Sequence, residues 1–87
     1  MDWTRDEVLK AVTKVVAEHA ETAEVYETTE LVADLGIDSL GIMEMLADIE
    51  DEFGMTIADR DLLQVITLGD VVAAIAGRLK DEGRLSS

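Results

Sequence analysis

The sequence predicts an all-α domain, a small four-helix bundle of three main helices plus one short helix. Three observations carry that prediction. Pro is absent and Gly accounts for only 6 of 87 residues, so little interrupts a helix. Apolar residues recur at helical spacing in three separate stretches. A residue suited to cap a helix precedes each stretch: Thr4, Asp38 and Thr67. The chain is 48% apolar, with Trp3, Tyr26 and Phe53 as its three aromatics, so its core is aliphatic.

In "WTRDEV", Thr4 and Glu7 have the spacing of a capping box, and Trp3 and Val8 that of a hydrophobic staple. Val8, Leu9, Val12, Val15 and Val16 then share one face, which predicts a helix ending near Ala20. The next segment, "ETAEVYETTELVADLGI", is acidic and Thr-rich without a sustained period. It reads as a long ordered loop pinned by Val25, Leu31, Val32, Leu35 and Ile37, with a turn at Gly36. A second helix starts at Asp38 or Ser39 and ends near Phe53, with Gly54 as its left-handed cap. Ile42, Met45, Leu46, Ile49 and Phe53 form its apolar stripe, opposite Leu40, Glu44, Ala47, Asp48 and Asp51. "MTIADRDLLQVI" predicts a linker and a short helix near Asp59 to Gln64. Thr67 and Asp70 then box the start of a last helix striped by Val71, Val72, Ile75 and Leu79. The expected organisation is one domain over residues 1–80 and a frayed tail over 81–87.

Charge is the strongest bulk feature. Seven basic and 20 acidic residues give −13 at pH 7, and no Lys or Arg stands between Lys14 and Arg60. Such a surface repels nucleic acid and anionic membranes and attracts basic protein patches. Without Cys there is no disulfide, thiolate metal site or cysteine nucleophile. No apolar run approaches the about 20 residues that span a bilayer, and "MDWTRDEV" lacks the pattern of a signal peptide. The expectation is a soluble cytoplasmic monomer.

Independent catalysis is disfavoured, because the one histidine, His19, is the sole candidate base for a serine nucleophile. No metal site is expected either. "DIEDEFGMTIAD" fails the calcium-loop pattern, with Phe53 where glycine is required and Asp59 where Glu is required. Ser39 is the only serine apart from Ser86 and Ser87. With Asp38 as N-cap, its hydroxyl opens the second helix, where a phosphoryl group would meet unpaired N–H groups and the positive helix end. A shared capping duty with Asp38 explains the same serine equally well.

The stretch "LGIDSL" resembles the L-G-x-D-S-L signature of acyl carrier proteins. The likeness continues through "GIMEMLADIEDEFGMTI" and "ITLGDVVAAI" and covers essentially the whole chain. It implies 4′-phosphopantetheine, delivered from coenzyme A by a phosphopantetheinyl transferase and esterified to Ser39. The arm's thiol would carry acyl groups as thioesters to acyltransferase and ketosynthase-type enzymes of fatty-acid or polyketide synthesis, with no catalytic residue on the carrier. Basic patches on those enzymes would meet Asp38, Leu40, Glu44, Asp48 and Asp51, and a cargo cleft would be lined by Met45, Leu46, Leu62, Leu63 and Val65. Two positions depart from the family pattern: Gly41 stands where an acidic residue is common, and "IAD" replaces "IPD" at Ala58. A peptidyl or aminoacyl carrier and an unmodified acidic interaction module are the rival readings.

Overall fold

The computed structural model describes residues 2–62 and 64–86, without the side chains of Asp59 and Leu62. Its helices are α1 (Arg5–Ala20), α2 (Ser39–Phe53), α3 (Asp59–Leu62) and α4 (Leu68–Asp81). The all-α class is as expected, and the short helix is a single turn. Among the described residues there is no strand, only two isolated bridges, Trp3 with Leu85 and Glu30 with Thr67. No described helix is long and apolar enough to cross a membrane.

The helix boundaries follow local chemistry. In α1 the Thr4 hydroxyl accepts from Glu7 N–H and the Glu7 carboxylate accepts from Thr4 N–H, the reciprocal box anticipated from the sequence. Thr67 and Asp70 repeat it at α4. Gly54, at φ 61°, ends α2 in the left-handed conformation that costs glycine least. Glu50 reaches beyond that end to accept the Ile57 N–H at 2.7 Å, fixing the chain's exit from α2.

The core is aliphatic except for Phe53 and is shared by all three long helices. Val8, Val12 and Val16 meet Met45, Ile49 and Phe53 from α2 and Leu68, Val72, Ile75 and Leu79 from α4, all essentially without exposure. Each such side chain contributes about 1.5–3 kcal/mol on burial, which accounts for helices that propensity alone would leave marginal.

The long loop is ordered because its backbone is paired. Leu68 and Gly69, the first two residues of α4, donate to the carbonyls of Thr29 and Glu27 at 3.0 and 2.9 Å, and Leu31 N–H donates to Ile66 at 3.0 Å. Val25, Leu31 and Ile37 are buried as expected, and Leu35 is half-buried. Val32 is not: it stands 62% exposed. Asp34 and Gly36 donate to the Glu30 and Val32 carbonyls. That helical turn directs Leu31 and Leu35 inward and Val32 outward.

Residues 84–86 differ from the frayed end expected of them. Trp3 N–H donates to the Arg84 carbonyl and Ser86 N–H to the Trp3 carbonyl, both at 2.7 Å. The Arg84 guanidinium donates to the Phe53 carbonyl at the end of α2, a favourable place for a cation. Trp3 in turn packs against Phe53, ring centres 4.5 Å apart. The two chain termini and the end of α2 thereby form one clasp.

Two glycines of α4 are expected to respond in opposite directions. A Cβ at Gly69 would lie 2.9 Å from the Glu27 carbonyl oxygen, so Gly69→Ala must break the loop pairing and should cost about 1–3 kcal/mol. A Cβ at Gly77 meets nothing within 4 Å, so Gly77→Ala should gain about 1 kcal/mol of helix propensity. Urea denaturation of both variants reads the two signs.

Asp70 makes a prediction about acid. One of its carboxylate oxygens accepts the N–H groups of both Ile66 and Thr67, and those bonds hold its carboxyl below the usual carboxylate value. The ionised form is therefore the one the fold favours. Its contribution is complete above about pH 4 and is lost as pH falls through the lowered folded value. Asp70→Asn should flatten this acid limb, so that the melting-temperature gap between the variant and the parent narrows below about pH 4. A gap that stays constant there would refute the assignment.

Candidate functional site

Helix α2 begins in a way that isolates one hydroxyl. Asp38, extended at φ −81° and ψ 177°, accepts the Gly41 N–H on Oδ1 at 2.7 Å, and its carbonyl accepts the Ile42 N–H at 2.9 Å. The cap therefore falls to Asp38. Ser39 is the first helical residue, exposed, and its hydroxyl makes no hydrogen bond among the described residues. The N–H groups of Ser39 and Leu40 have no acceptor within the helix, as the first-turn geometry requires.

Helix α4 shows the contrast. There the corresponding first two N–H groups are closed by the loop carbonyls of Thr29 and Glu27. The end of α2 stays open, with two donors and the positive end of a 15-residue dipole beside an exposed nucleophilic oxygen. These residues fit an esterified phosphate.

Gly41 proves to be a packing position. A Cβ there would sit 2.9 Å from Ile37 Cγ2 and 3.1 Å from Asp38 Oδ1. An acidic side chain at this place would displace either a buried isoleucine or the cap itself.

The outer face of α2 carries Leu40, Glu44, Ala47, Asp48 and Asp51, all exposed as their spacing predicted. Leu40 is 64% exposed, and Met43, one turn further on, is 67% exposed. Sequence reasoning missed Met43, because a methionine inside an amphipathic helix ordinarily reads as core. Its position three residues after Leu40 was the available signal. Asp48 is engaged within the chain: its Oδ2 lies 2.7 Å from His19 Nε2.

That contact also settles where the histidine stands relative to the serine. Asp48 is nine residues, or about 14 Å, along the helix from Ser39, so His19 is held far from hydrogen-bond reach of the hydroxyl.

The residues expected to line a cargo cleft are dispersed. Met45 and Leu46 are buried in the central core. Val65 is half-buried and borders a recess with Asp61, Gln64 and Asp70. Leu63 and the side chain of Leu62 lie outside the described residues.

Comparison with known proteins gives this arrangement a family. Residues 7–75 match the family described as "Phosphopantetheine attachment site". The chain is 41% identical over 78 residues to an acyl carrier protein of an Exiguobacterium species, covering 87% of this chain and 99% of that one. It is 35% identical over 78 residues to an acyl carrier protein of Thermotoga maritima, covering 87% and 96%. Among solved structures, a putative acyl carrier protein of Mycobacterium tuberculosis superposes with a TM-score of 0.76 at 30% identity, covering 82% of this chain and 97% of that one. The acyl carrier protein of Enterococcus faecalis superposes at 0.72 and 35% identity, covering 86% and 98%. An exposed serine on an open helix end, a family match across most of the helical bundle and near-full-length relatives agree: the chain belongs to the acyl carrier protein family, whose members bear a phosphopantetheine attachment site.

Proposed function

We propose that Ser39 is the residue of this chain that takes 4′-phosphopantetheine from coenzyme A, and that the loaded chain presents acyl groups to the enzymes of fatty-acid or polyketide synthesis. Membership of the family makes the chain a carrier, not an enzyme. The observation that supports Ser39 above all is its exposed, unpartnered hydroxyl at the open end of α2. Phosphopantetheine, when bound, supplies the thiol that a chain without cysteine lacks.

What the chain's own residues do is positional and electrostatic. Asp38 fixes the first turn through the Gly41 N–H, so Ser39 is held outward on a rigid element. The N–H groups of Ser39 and Leu40 are placed to donate to a phosphodiester, an interaction worth about 0.3–1 kcal/mol at an exposed helix end. Esterification takes the formal charge from −13 to about −14.

The enzymes served are a phosphopantetheinyl transferase and acyltransferase or ketosynthase-type partners with basic docking patches. Asp38, Glu44 and Asp51 supply the charges on the exposed face of α2, and Leu40 and Met43 supply an apolar anchor beside the arm. Contacts of this kind steer encounter more than they hold a complex, which suits a carrier that must leave each enzyme. A sheltered acyl chain would have to move Met45 and Leu46 from their present packing. A methionine tolerates that better than a branched side chain does.

Incubation with coenzyme A and a broad-specificity phosphopantetheinyl transferase should add the mass of one phosphopantetheine to the intact protein and none to Ser39→Ala. An unchanged mass in folded wild-type protein would refute the proposal. In the same assay, raising the salt from about 0.05 to 0.5 M should raise KM several-fold while kcat changes little, because the screening length falls well below the span of the acidic face.

A further inference from the structure

Between Lys14 and Arg60 the only side chain able to bear positive charge is His19, and the fold sets it directly on one of the carboxylates of α2. His19 Nε2 and Asp48 Oδ2 are 2.7 Å apart, across 29 residues of sequence. At that distance Nε2 carries a hydrogen and donates it, whether the ring is neutral or charged. The histidine side chain is only 22% exposed, so its position is set by the packing of α1 on α2, whereas Asp48 is 60% exposed.

The surroundings give the contact a direction. Asp48 lies one turn beyond Glu44, in the same row on the outer face. It also borders the groove between α1 and α2, whose charged residues are Lys14, Glu18, Asp51 and Glu52. Asp48 therefore stands where two surfaces meet. The hydrogen bond turns one of its oxygens toward α1 and away from the row of Leu40, Glu44 and Asp51.

We propose that His19 is a positioning residue that withdraws Asp48 from partner docking, leaving Glu44 and Asp51 as the acidic residues of mid-helix α2 that basic enzymes engage. The inference rests on the carrier reading. It assigns a boundary to the docking surface that the row of carboxylates alone does not reveal. It also assigns Asp48 a second duty, tying the C-terminal end of α1 to the middle of α2.

The test is a set of full-length variants loaded by a phosphopantetheinyl transferase with coenzyme A, with KM, kcat and melting temperature measured for each. Glu44→Gln and Asp51→Asn should each raise KM by about two- to threefold, the scale of an exposed ion pair, with kcat little changed. Asp48→Asn should leave KM near the wild-type value and lower the melting temperature. His19→Ala should lower both KM and the melting temperature, since it releases a carboxylate into the row with Glu44. His19→Gln, whose amide can still donate, should restore part of each change. The double variant of His19→Ala and Asp48→Asn should melt no lower than the worse single one. A loaded wild type in which Asp48→Asn raises KM as much as Asp51→Asn would overturn the docking boundary. Additive melting shifts in the double variant would overturn the tie. A folded wild type that accepts no phosphopantetheine would overturn the carrier reading itself, a result separate from both.

Discussion

The backbone of Leu31 is the joint on which the starts of α2 and α4 depend. Its N–H donates to the Ile66 carbonyl, just before α4, and its carbonyl accepts the Ile37 N–H, just before α2. Its side chain is fully buried between them. One residue thus fixes the starting points of two helices relative to each other. The neighbouring carbonyls of Thr29 and Glu27 complete the arrangement by closing the first turn of α4. A buried loop is tolerable only when its polar backbone is paired, and here α4 supplies the donors. Ser39 is therefore carried by a helix whose origin is anchored two residues upstream, although the hydroxyl itself touches nothing.

The acidity of the chain has several separate causes. Glu7, Asp34, Asp38, Glu50 and Asp70 each accept a backbone N–H at a helix start, a turn or a loop exit. Glu82 lies between Arg78 and Arg84, whose guanidinium groups hold its carboxyl below the usual value and link the end of α4 to the terminal clasp. Asp48 is taken by His19. Each of these carboxylates is tied to a specific donor. Glu44 and Asp51 sit differently, exposed on α2 and without a hydrogen bond or ion pair among the described residues. On the docking reading proposed above, the partnering of each carboxylate says more about the surface than total charge does.

What the sequence made legible was local. Thr4 with Glu7 and Thr67 with Asp70 are three residues apart, and their geometry follows from that spacing. The apolar stripes and the Gly54 cap are legible for the same reason, and so is Ser39 at the first helical position. What escaped was long-range or depended on a single rotation. The pairing of Trp3 with residues 84–86 joins distant parts of the chain, and a short tail with the single apolar residue Leu85 gives little sign of it. His19 and Asp48 come together only because α1 and α2 pack in one register. Val32 is apolar and stands between the buried Leu31 and the half-buried Leu35, and only the turn at residues 31–35 decides that it faces water. Gly41 reads from the sequence as a missing charge, and only the position of Ile37 shows it to be a missing methyl.

The two helix starts, finally, use the same chemistry to opposite ends. Both α2 and α4 have a polar cap whose side chain accepts the third N–H of the helix: Asp38 from Gly41, and Thr67 from Asp70. In α4 the first and second N–H groups are also satisfied, so that end is finished as structure. In α2 the same two groups are left to solvent, and unpaired donors there cost little because water supplies acceptors. That exposure makes the end of α2 replaceable ground. An anion can displace water from two aligned donors while Asp38 still caps the helix through the Gly41 N–H and Ile37 still holds its start through the Leu31 carbonyl. On the carrier reading proposed above, esterification of Ser39 would leave the hydrogen bonds of the bundle beneath it unchanged.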